Sequence, residues 1–198
     1  DSNEIYVGTG EVYNYQNTGT GWANRVTRGT YGIGVLKTVN GGATWIKTID
    51  WQYADLRGVQ DIIVNPLRPA TVFAATTEGI YRTYDSGSTW SLVLDKKMVT
   101  DLHFMPGDTS IIMAAVGNSF SLDPGIYRST NGGTSFTKLS SGLPTSWSGK
   151  ALLDVCQADN TVWYASIADQ LAGLGLFRSD NGGLDWLQVN PLDFQRNH

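Results

Sequence analysis

The chain has 198 residues, 16% of them charged, and a formal net charge of −4. That length is enough for a domain with a substantial core, and so sparse and acidic a charge argues against a nucleic-acid binder, which shows a basic patch or stripe. No apolar run is long enough to cross a bilayer as a helix, no secretory leader is legible, and a strand-like segment already begins near residue 4, so the native start is expected upstream.

In chain order, the first short apolar segment is "IYVGT" (5–9), followed by a long variable stretch, "GEVYNYQNTGTGWANRVTRGTYG" (10–32). Then come "GVLK" and the turn "KTVNGGATW" (37–45), which runs into "TWIKTI" (44–49). After "IDWQYADLRG" (49–58) a longer cycle starts: "GVQDIIV" (58–64), "TVFAAT" (71–76), "GIYR", the turn "RTYDSGSTW" (82–90) and "TWSLVL". "LDKKM" (94–98) leads to "MVTDLHF" (98–104), "SIIMAAV" (110–116), the loop "GNSFSLDP" (117–124), "GIYR", "RSTNGGTSF" (128–136) and "SFTKLS". "SSGLPTSWSG" (140–149) leads to the last cycle: "KALLDVC" (150–156), "TVWYASI" (161–167), the loop "ADQLAGLG" (168–175), "GLFR", "RSDNGGLDW" (178–186) and "DWLQV".

These segments are rich in β-branched and aromatic residues and are bounded by Gly, Asn, Asp and Pro, as strands are. No stretch has helical periodicity. The four turns, aligned on Thr38, Thr83, Ser129 and Ser179, lie 45, 46 and 50 residues apart. Four short strands recurring at that interval predict an all-β fold, a β-propeller of four-stranded antiparallel blades. A sandwich is the competing all-β architecture, but it does not demand near-identical hairpins at a regular interval. The first cycle lacks its opening strand. The expectation is therefore a single propeller segment over 1–198, with a partial blade at 1–49 and complete blades at 58–94, 98–139 and 150–190, forming part of a larger ring.

Each turn reads [S/T]-x-[D/N]-x-G-x-[T/S/D]-[W/F], and each position has a job. Asn40, Asp85, Asn131 and Asn181 are placed to accept turn N–H groups. Gly42, Gly87, Gly133 and Gly183 supply positive φ. The hydroxyls of Thr38, Thr83, Ser129 and Ser179 tie the start of the turn to its end. Trp45, Trp90, Phe136 and Trp186 cover it and bury apolar area. The third turn ends Ser135-Phe136 and the fourth has Asp185 where Thr is usual, and both departures are expected to weaken their turns.

These motifs resemble Asp-boxes, or BNR repeats. Asp-boxes occur in sialidase-like propellers, sortilin/Vps10 domains, xyloglucan-cleaving glycoside hydrolases and photosystem II assembly-factor propellers. The stretch 5–45 is similar to secreted bacterial sortilin-like proteins. The resemblance covers nearly the whole chain. It implies that the boxes are structural and that the protein is secreted or cell-surface and bacterial. The family spans enzymes, receptors and assembly factors, so the function does not follow from the fold.

Function is then expected where the repeats differ. In an antiparallel meander the repeated turns mark one end of the blades, and the variable loops and crossovers mark the other. That far end carries the ligand-binding candidates Glu11, Tyr15, Trp22, Asn24, Arg25, Trp51, Tyr53, Arg57 and Trp147. Aromatic faces beside amide and guanidinium donors suit sugar rings or peptide segments.

A glycosidase would need two positioned carboxylates. Glu11, Asp50, Asp55, Asp61 and Asp123 are available, with no spacing that selects a pair. A sialidase-like arginine cluster has no supporting motif around Arg25, Arg28 and Arg57. The single cysteine, Cys156, lies in an apolar run and is expected to be a small buried hydrophobe. The sequence holds only two histidines, His103 and His198, and no metal-ligand spacing, phosphate loop or nucleophile elbow.

The reading is a secreted propeller serving as a binding module for glycan or protein, with no cofactor or metal. The partners expected are that ligand and the remaining blades of the parent chain or a partner chain, with neither nucleic acid nor a transmembrane segment. The alternatives are a fragment of a xyloglucanase-like glycoside hydrolase, with catalytic carboxylates partly outside the segment, and a cargo or component of a bacterial secretion or adhesion assembly.

Overall fold

The computed structural model describes residues 3–10, 31–54, 56–118, 121–169 and 172–190. They form fifteen strands and, among the described residues, no helix. β1 (Ile5–Gly8), β2 (Gly34–Thr38) and β3 (Ile46–Asp50) make a three-stranded sheet. β4 (Val59–Val64), β5 (Val72–Thr76), β6 (Ile80–Thr83) and β7 (Ser91–Leu94) make the second sheet. β8 (Val99–Met105), β9 (Asp108–Val116), β10 (Gly125–Ser129) and β11 (Thr137–Lys138) make the third. β12 (Ala151–Val155), β13 (Trp163–Asp169), β14 (Ala172–Ser179) and β15 (Leu187–Asn190) make the fourth. Each is an antiparallel meander in which sequential strands are neighbours.

The sheets stack through the first strands of their meanders: β1 contacts β4, β4 contacts β8 and β8 contacts β12. This is the arrangement of consecutive propeller blades. Sequence explains it locally. The second strands of the second and third sheets are apolar on both faces, as in "VFAAT" and "IMAAV", where every residue is buried, because they are sandwiched between neighbouring sheets, whereas β13 of the fourth alternates buried and more exposed residues. The core follows the stacking. Phe73, Ile80, Leu102 and Ile112 fill the space between the second and third sheets. Met113, Ile126, Trp163, Ile167 and Trp186 fill that between the third and fourth.

The repeated turns share one hydrogen-bond scheme. In the first, Thr38 Oγ1 accepts from Asn40 N (3.2 Å) and Gly42 N (3.0 Å) and donates to Asn40 Oδ1 (2.8 Å), which also accepts from Thr44 N (2.9 Å). The same bonds recur around Thr83 and Asp85, Ser129 and Asn131, and Ser179 and Asn181. Gly42, Gly87, Gly133 and Gly183 have φ of 94°, 88°, 76° and 81°, a region that side chains with Cβ adopt at a cost. A second constraint is tertiary. A Cβ on Gly133 would sit 2.3 Å from Phe73 of the preceding sheet, and one on Gly183 would sit 2.7 Å from Met113 of the preceding sheet. The later turns therefore seat on the blade before them.

Ser135 and Asp185 keep the closing side-chain bond of their turns: the amide of Asn131 donates to Ser135 Oγ (2.8 Å) and that of Asn181 to Asp185 Oδ2 (2.7 Å). Asparagine has donors to offer, so a carboxylate opposite it is a partner. Two expectations are corrected. Trp186 is buried at 2% exposure, but Trp45 remains 42% exposed, because among the described residues no sheet precedes the first one to cover it. Cys156 is exposed. β12 alternates buried and exposed residues from Ala151 to Val155, and Cys156 falls on the outward parity.

Candidate functional site

The loop end of the blades is laced by main-chain bonds. Val59 N donates to Thr9 O (2.9 Å) and Met98 N to Thr77 O (3.0 Å), each joining the start of one blade to the sheet before it, and Gly117 N donates to Met98 O (2.9 Å) within the third sheet. These bonds fix the loops that carry the candidate residues.

Glu11, Tyr15, Trp22, Asn24 and Arg25 lie outside the described residues, as do Arg28 and Asp55. The remaining candidates divide into two groups. Trp51 and Trp147 are core residues, 7% and 4% exposed. Trp51 packs with Val35, Ile49 and Val59 and meets Tyr81 edge-on at 5.8 Å. Trp147 packs into the cluster around Trp163 and Ile167. Their indole faces are occupied by protein, because the crossovers they sit on fold down against the blades. Tyr53, by contrast, is 93% exposed, its hydroxyl accepting from Gln52 Nε2 (3.2 Å). Arg57 lies over the Trp51 ring at 5.7 Å, and its carbonyl accepts from Gly32 N at 2.6 Å, which brings the segment beside the half-exposed Tyr31 up to it.

Arg57 opens a row of charges that sequence reasoning did not single out. Its Nε lies 3.9 Å from Glu78 Oε1, Lys97 Nζ is 2.9 Å from Glu78 Oε2, and Asp95 is 3.7 Å from Lys97. Glu78 sits in the tight turn between β5 and β6, where Thr76 Oγ1 accepts from Glu78 N and Gly79 N (3.0 and 3.1 Å) and donates to Gly79 O. Only that "TTEG" turn hinted at it, since its cations are about 20 residues away in either direction. Further along the same end, Asp123 is clamped between Lys96 and Lys138, the latter at 3.0 Å. The hydrogen bonds from those two ammonium groups hold the Asp123 carboxyl down to about 2. The hydroxyl of Tyr127 donates to Asp123 O, and burial followed by the nearby carboxylate raises its pKa. Asp50 is likewise lowered, first by Lys47 (2.7 Å) and then by Gln52 N.

Asp61, the remaining carboxylate candidate within the described residues, is not on the loop end. A bulge between Val59 and Asp61 in β4 turns it toward the neighbouring blade. There its Oδ2 accepts from Leu102 N at 3.1 Å, sharing that N–H with Asp101 Oδ1, also at 3.1 Å. Asp101 repeats the move one blade on, accepting from Leu153 N (2.8 Å). Burial raises the pKa of Asp61, and the charge of Asp101 adds to it. His103 Nε2 lies 3.1 Å from Leu153 O and 3.2 Å from Asp101 Oδ1. Burial opposes its charged form, but the hydrogen bond to Asp101 and the charges of Asp101 and Asp61 outweigh it, so its pKa is raised. These residues tie inner strands together. Among the described residues no group of His, Cys, Asp and Glu is arranged to hold a metal ion.

No protein-family model matches the chain, and no curated protein matches it by sequence. Solved structures do resemble it. An ancestral GH74 enzyme superposes with a TM-score of 0.63 at 22% identity, over 79% of this chain and 21% of that one. The Niastella koreensis GH74 enzyme gives 0.64 at 16% identity, over 78% of this chain and 26% of that one. The GH74 xyloglucanase from Xanthomonas campestris gives 0.61 at 16% identity, over 80% and 27%. The chain thus spans about a quarter of the length of the structures it resembles, and the likeness, at these identities, is one of fold: the protein is built as β-propeller blades.

Proposed function

We propose that this propeller segment is a binding module, secreted or on the cell surface, that meets a glycan or protein at the loop end of its blades. The observation that carries this is the pair of residues on the connection from β3 to β4: an exposed Tyr53, and an Arg57 whose guanidinium is set by Trp51 and Glu78. A flat aromatic face and a positioned planar donor on one connection suit a sugar ring or a peptide carbonyl. Asp50, Glu78, Asp95 and Asp123 are each paired with a lysine or arginine on this end. Acid–base work on a glycosidic bond requires one carboxyl with a raised pKa, and the shifts at Asp50 and Asp123 run the other way. The secreted placement rests on the resemblance of the boxes and of residues 5–45 to secreted bacterial proteins.

The test is calorimetric titration with xyloglucan oligosaccharides and a panel of other glycans, together with an assay for released reducing ends. Binding without turnover, weakened at least tenfold by Tyr53→Ala and by Arg57→Ala, is the expected result. Affinity unchanged in both variants overturns the assignment to this end. Likeness to GH74 enzymes favours a second reading, a piece of a glycoside hydrolase. Release of reducing ends would establish it.

A further inference from the structure

Asparagine loses its side-chain amide most readily before glycine, because a following residue with no side chain lets its main-chain nitrogen reach Cγ. The sequence holds three such pairs, Asn40–Gly41, Asn131–Gly132 and Asn181–Gly182, one in every repeated turn but the second, which has Asp85–Ser86. In all three the attacking nitrogen is engaged: Gly41 N donates to Asn3 O (3.0 Å), Gly132 N to Ser110 O (2.8 Å) and Gly182 N to Thr161 O (2.8 Å). The asparagine carbonyls are polarised as well. Asn131 Oδ1 accepts from Ser129 Oγ (3.0 Å), Thr134 N (3.1 Å) and Ser135 N (2.9 Å). Asn181 Oδ1 accepts from Ser179 Oγ (2.9 Å), Leu184 N (3.2 Å) and Asp185 N (2.9 Å). Donors so placed stabilise the oxyanion that forms when Cγ is attacked.

Two features separate Asn131 from Asn181. The first is the group opposite the leaving amide. Asn131 Nδ2 donates to Ser135 Oγ (2.8 Å), a hydroxyl with a proton to give the departing nitrogen. Asn181 Nδ2 donates to Asp185 Oδ2 (2.7 Å). Hydrogen bonds from Ser141 and then Asn181 lower the pKa of that carboxyl, so near neutral pH it has no proton to give, and its charge opposes the oxyanion. The second is cover. Gly182 is buried, and a Cβ on it would stand 3.2 Å from the Met105 methyl of the preceding sheet, whereas Gly132 is half-buried with nothing within 4 Å of that position. When the bond to Ser110 O opens, the Gly132 N–H meets solvent; that of Gly182 stays under Met105.

We propose that Asn131 is a deamidation site of the folded chain and that Asn181 is shielded from the same reaction. Gly132 N gives its proton to hydroxide and its electron pair to Asn131 Cγ, forming the N–Cγ bond of a succinimide. The Cγ–Nδ2 bond breaks, and its electron pair leaves with Nδ2, which takes the Ser135 proton and departs as ammonia. Ser135 recovers a proton from water, which regenerates the hydroxide. A further water opens the ring, at Cγ to give aspartate or at the main-chain carbonyl to give isoaspartate. The net change is one water consumed and one ammonia released. The aspartate product is a turn the chain already builds: Asp85 Oδ1 accepts from Thr83 Oγ1 (2.7 Å) and Thr89 N (2.8 Å), and its Oδ2 accepts from the Thr89 hydroxyl (2.7 Å). Ser135 can turn from acceptor to donor in the same way. The Asp185 carboxylate cannot, so the shielded asparagine is the one whose conversion would set two carboxylates together.

The experiment is incubation of the intact chain in mildly alkaline buffer, with conversion at each asparagine read by peptide-mapping mass spectrometry and by ammonia release. Asn131 is expected to convert about tenfold faster than Asn181, or more, whereas in urea the two pairs should convert at similar rates. Asp185→Ser gives the fourth turn the hydroxyl of the third and should speed Asn181 several-fold. Ser135→Ala should slow Asn131, and Ser135→Thr, which restores a hydroxyl, should not. Amide exchange at Gly133 and Gly183 reports whether the turns stay formed in each variant, and the wild-type comparison of folded with urea-unfolded chain decides without any variant. Equal conversion of Asn131 and Asn181 in the folded chain, or none at Asn131, overturns the proposal. So does an Asn181 rate unmoved by Asp185→Ser, or an Asn131 rate unmoved by Ser135→Ala, with the turns intact.

Discussion

The ammonium group of Lys37, at the end of β2, donates to the carbonyl of Ser86 in the turn of the next sheet, 2.8 Å away. Lys37 also pairs with Glu4 (2.9 Å) and lies over the Tyr6 ring. Arg82, one blade on, reaches Thr134 of the following turn in the same sense, at 3.4 Å. The cation that closes "GVLK" and "GIYR" is thus a latch onto the next blade. The turn it precedes in sequence is not the turn it holds.

Removing that latch should loosen the first sheet from the second. Lys37→Met keeps the aliphatic stem and deletes three donors, leaving Ser86 O and Glu4 without their charged partner. A loss of about 2 kcal/mol is expected, the scale of a buried hydrogen bond to a charged group, read by urea denaturation. Glu4→Gln in the same background should cost little more than Lys37→Met alone. Fully additive losses would show that the two side chains do not act together.

The second and fourth turns should answer oppositely to a carboxylate–amide exchange. Asp85 is held down to about 2, first by Thr89 N and then by the hydroxyls of Thr89 and Thr83. Its folded pKa is depressed, so its contribution to stability is present above the unfolded value of about 3.9 and is lost as pH falls toward 2. Asp85→Asn restores the pairing seen at Asn40, whose amide donates to Thr44 Oγ1, and should flatten that acid limb while sparing the melting temperature at pH 7. Asn181→Asp instead sets a carboxylate against Asp185, which now accepts from the Asn181 amide. Its melting temperature should fall at pH 7 and recover toward wild type below about pH 4, where one carboxyl protonates. Melting curves of both variants from pH 3 to 8 check this, and a pH-independent loss in Asn181→Asp would refute it.

Asp101 is expected to set the titration of His103. With the carboxylate replaced in Asp101→Asn, burial acts with less opposition and the histidine pKa should drop below its wild-type value, followed by the ring-proton resonances across pH 5–9. A histidine whose folded pKa is raised adds stability that is full below about pH 6.5 and is lost as pH rises through the folded pKa. The stability difference between pH 5.5 and pH 8 should accordingly shrink in the variant. An unchanged titration would sink the assignment.

The strands were legible because they are rich in β-branched and aromatic residues and are bounded by glycine, asparagine, aspartate and proline, in a cycle that recurs at a regular interval. The turn chemistry was legible for the same reason: hydroxyl, amide and glycine at fixed offsets close bonds only two to four residues long, as from Thr38 to Asn40 and Gly42. Trp51 and Trp147 show the limit. Both sit in crossovers that read as exposed loops, and both are buried because a neighbouring blade offers an apolar surface that no local window contains. Asp61 was visible as an acid but not as a tie between strands, since its partner Leu102 lies 41 residues away. Of the row from Arg57 through Glu78 to Lys97 the sequence offered Arg57 and the "TTEG" turn but not their pairing, because its members come from three separate connections.

By itself the sequence determined what is local and repeated: an all-β chain, the four-strand cycle and the hydrogen-bonded corners that close each hairpin. Tertiary structure alone decided what lies between the copies: which cation latches which turn, which aromatics are hidden and which carboxylates meet. The reason is physical. Bonds within a turn depend on spacing along the chain, whereas burial and charge pairing depend on which blade is stacked against which.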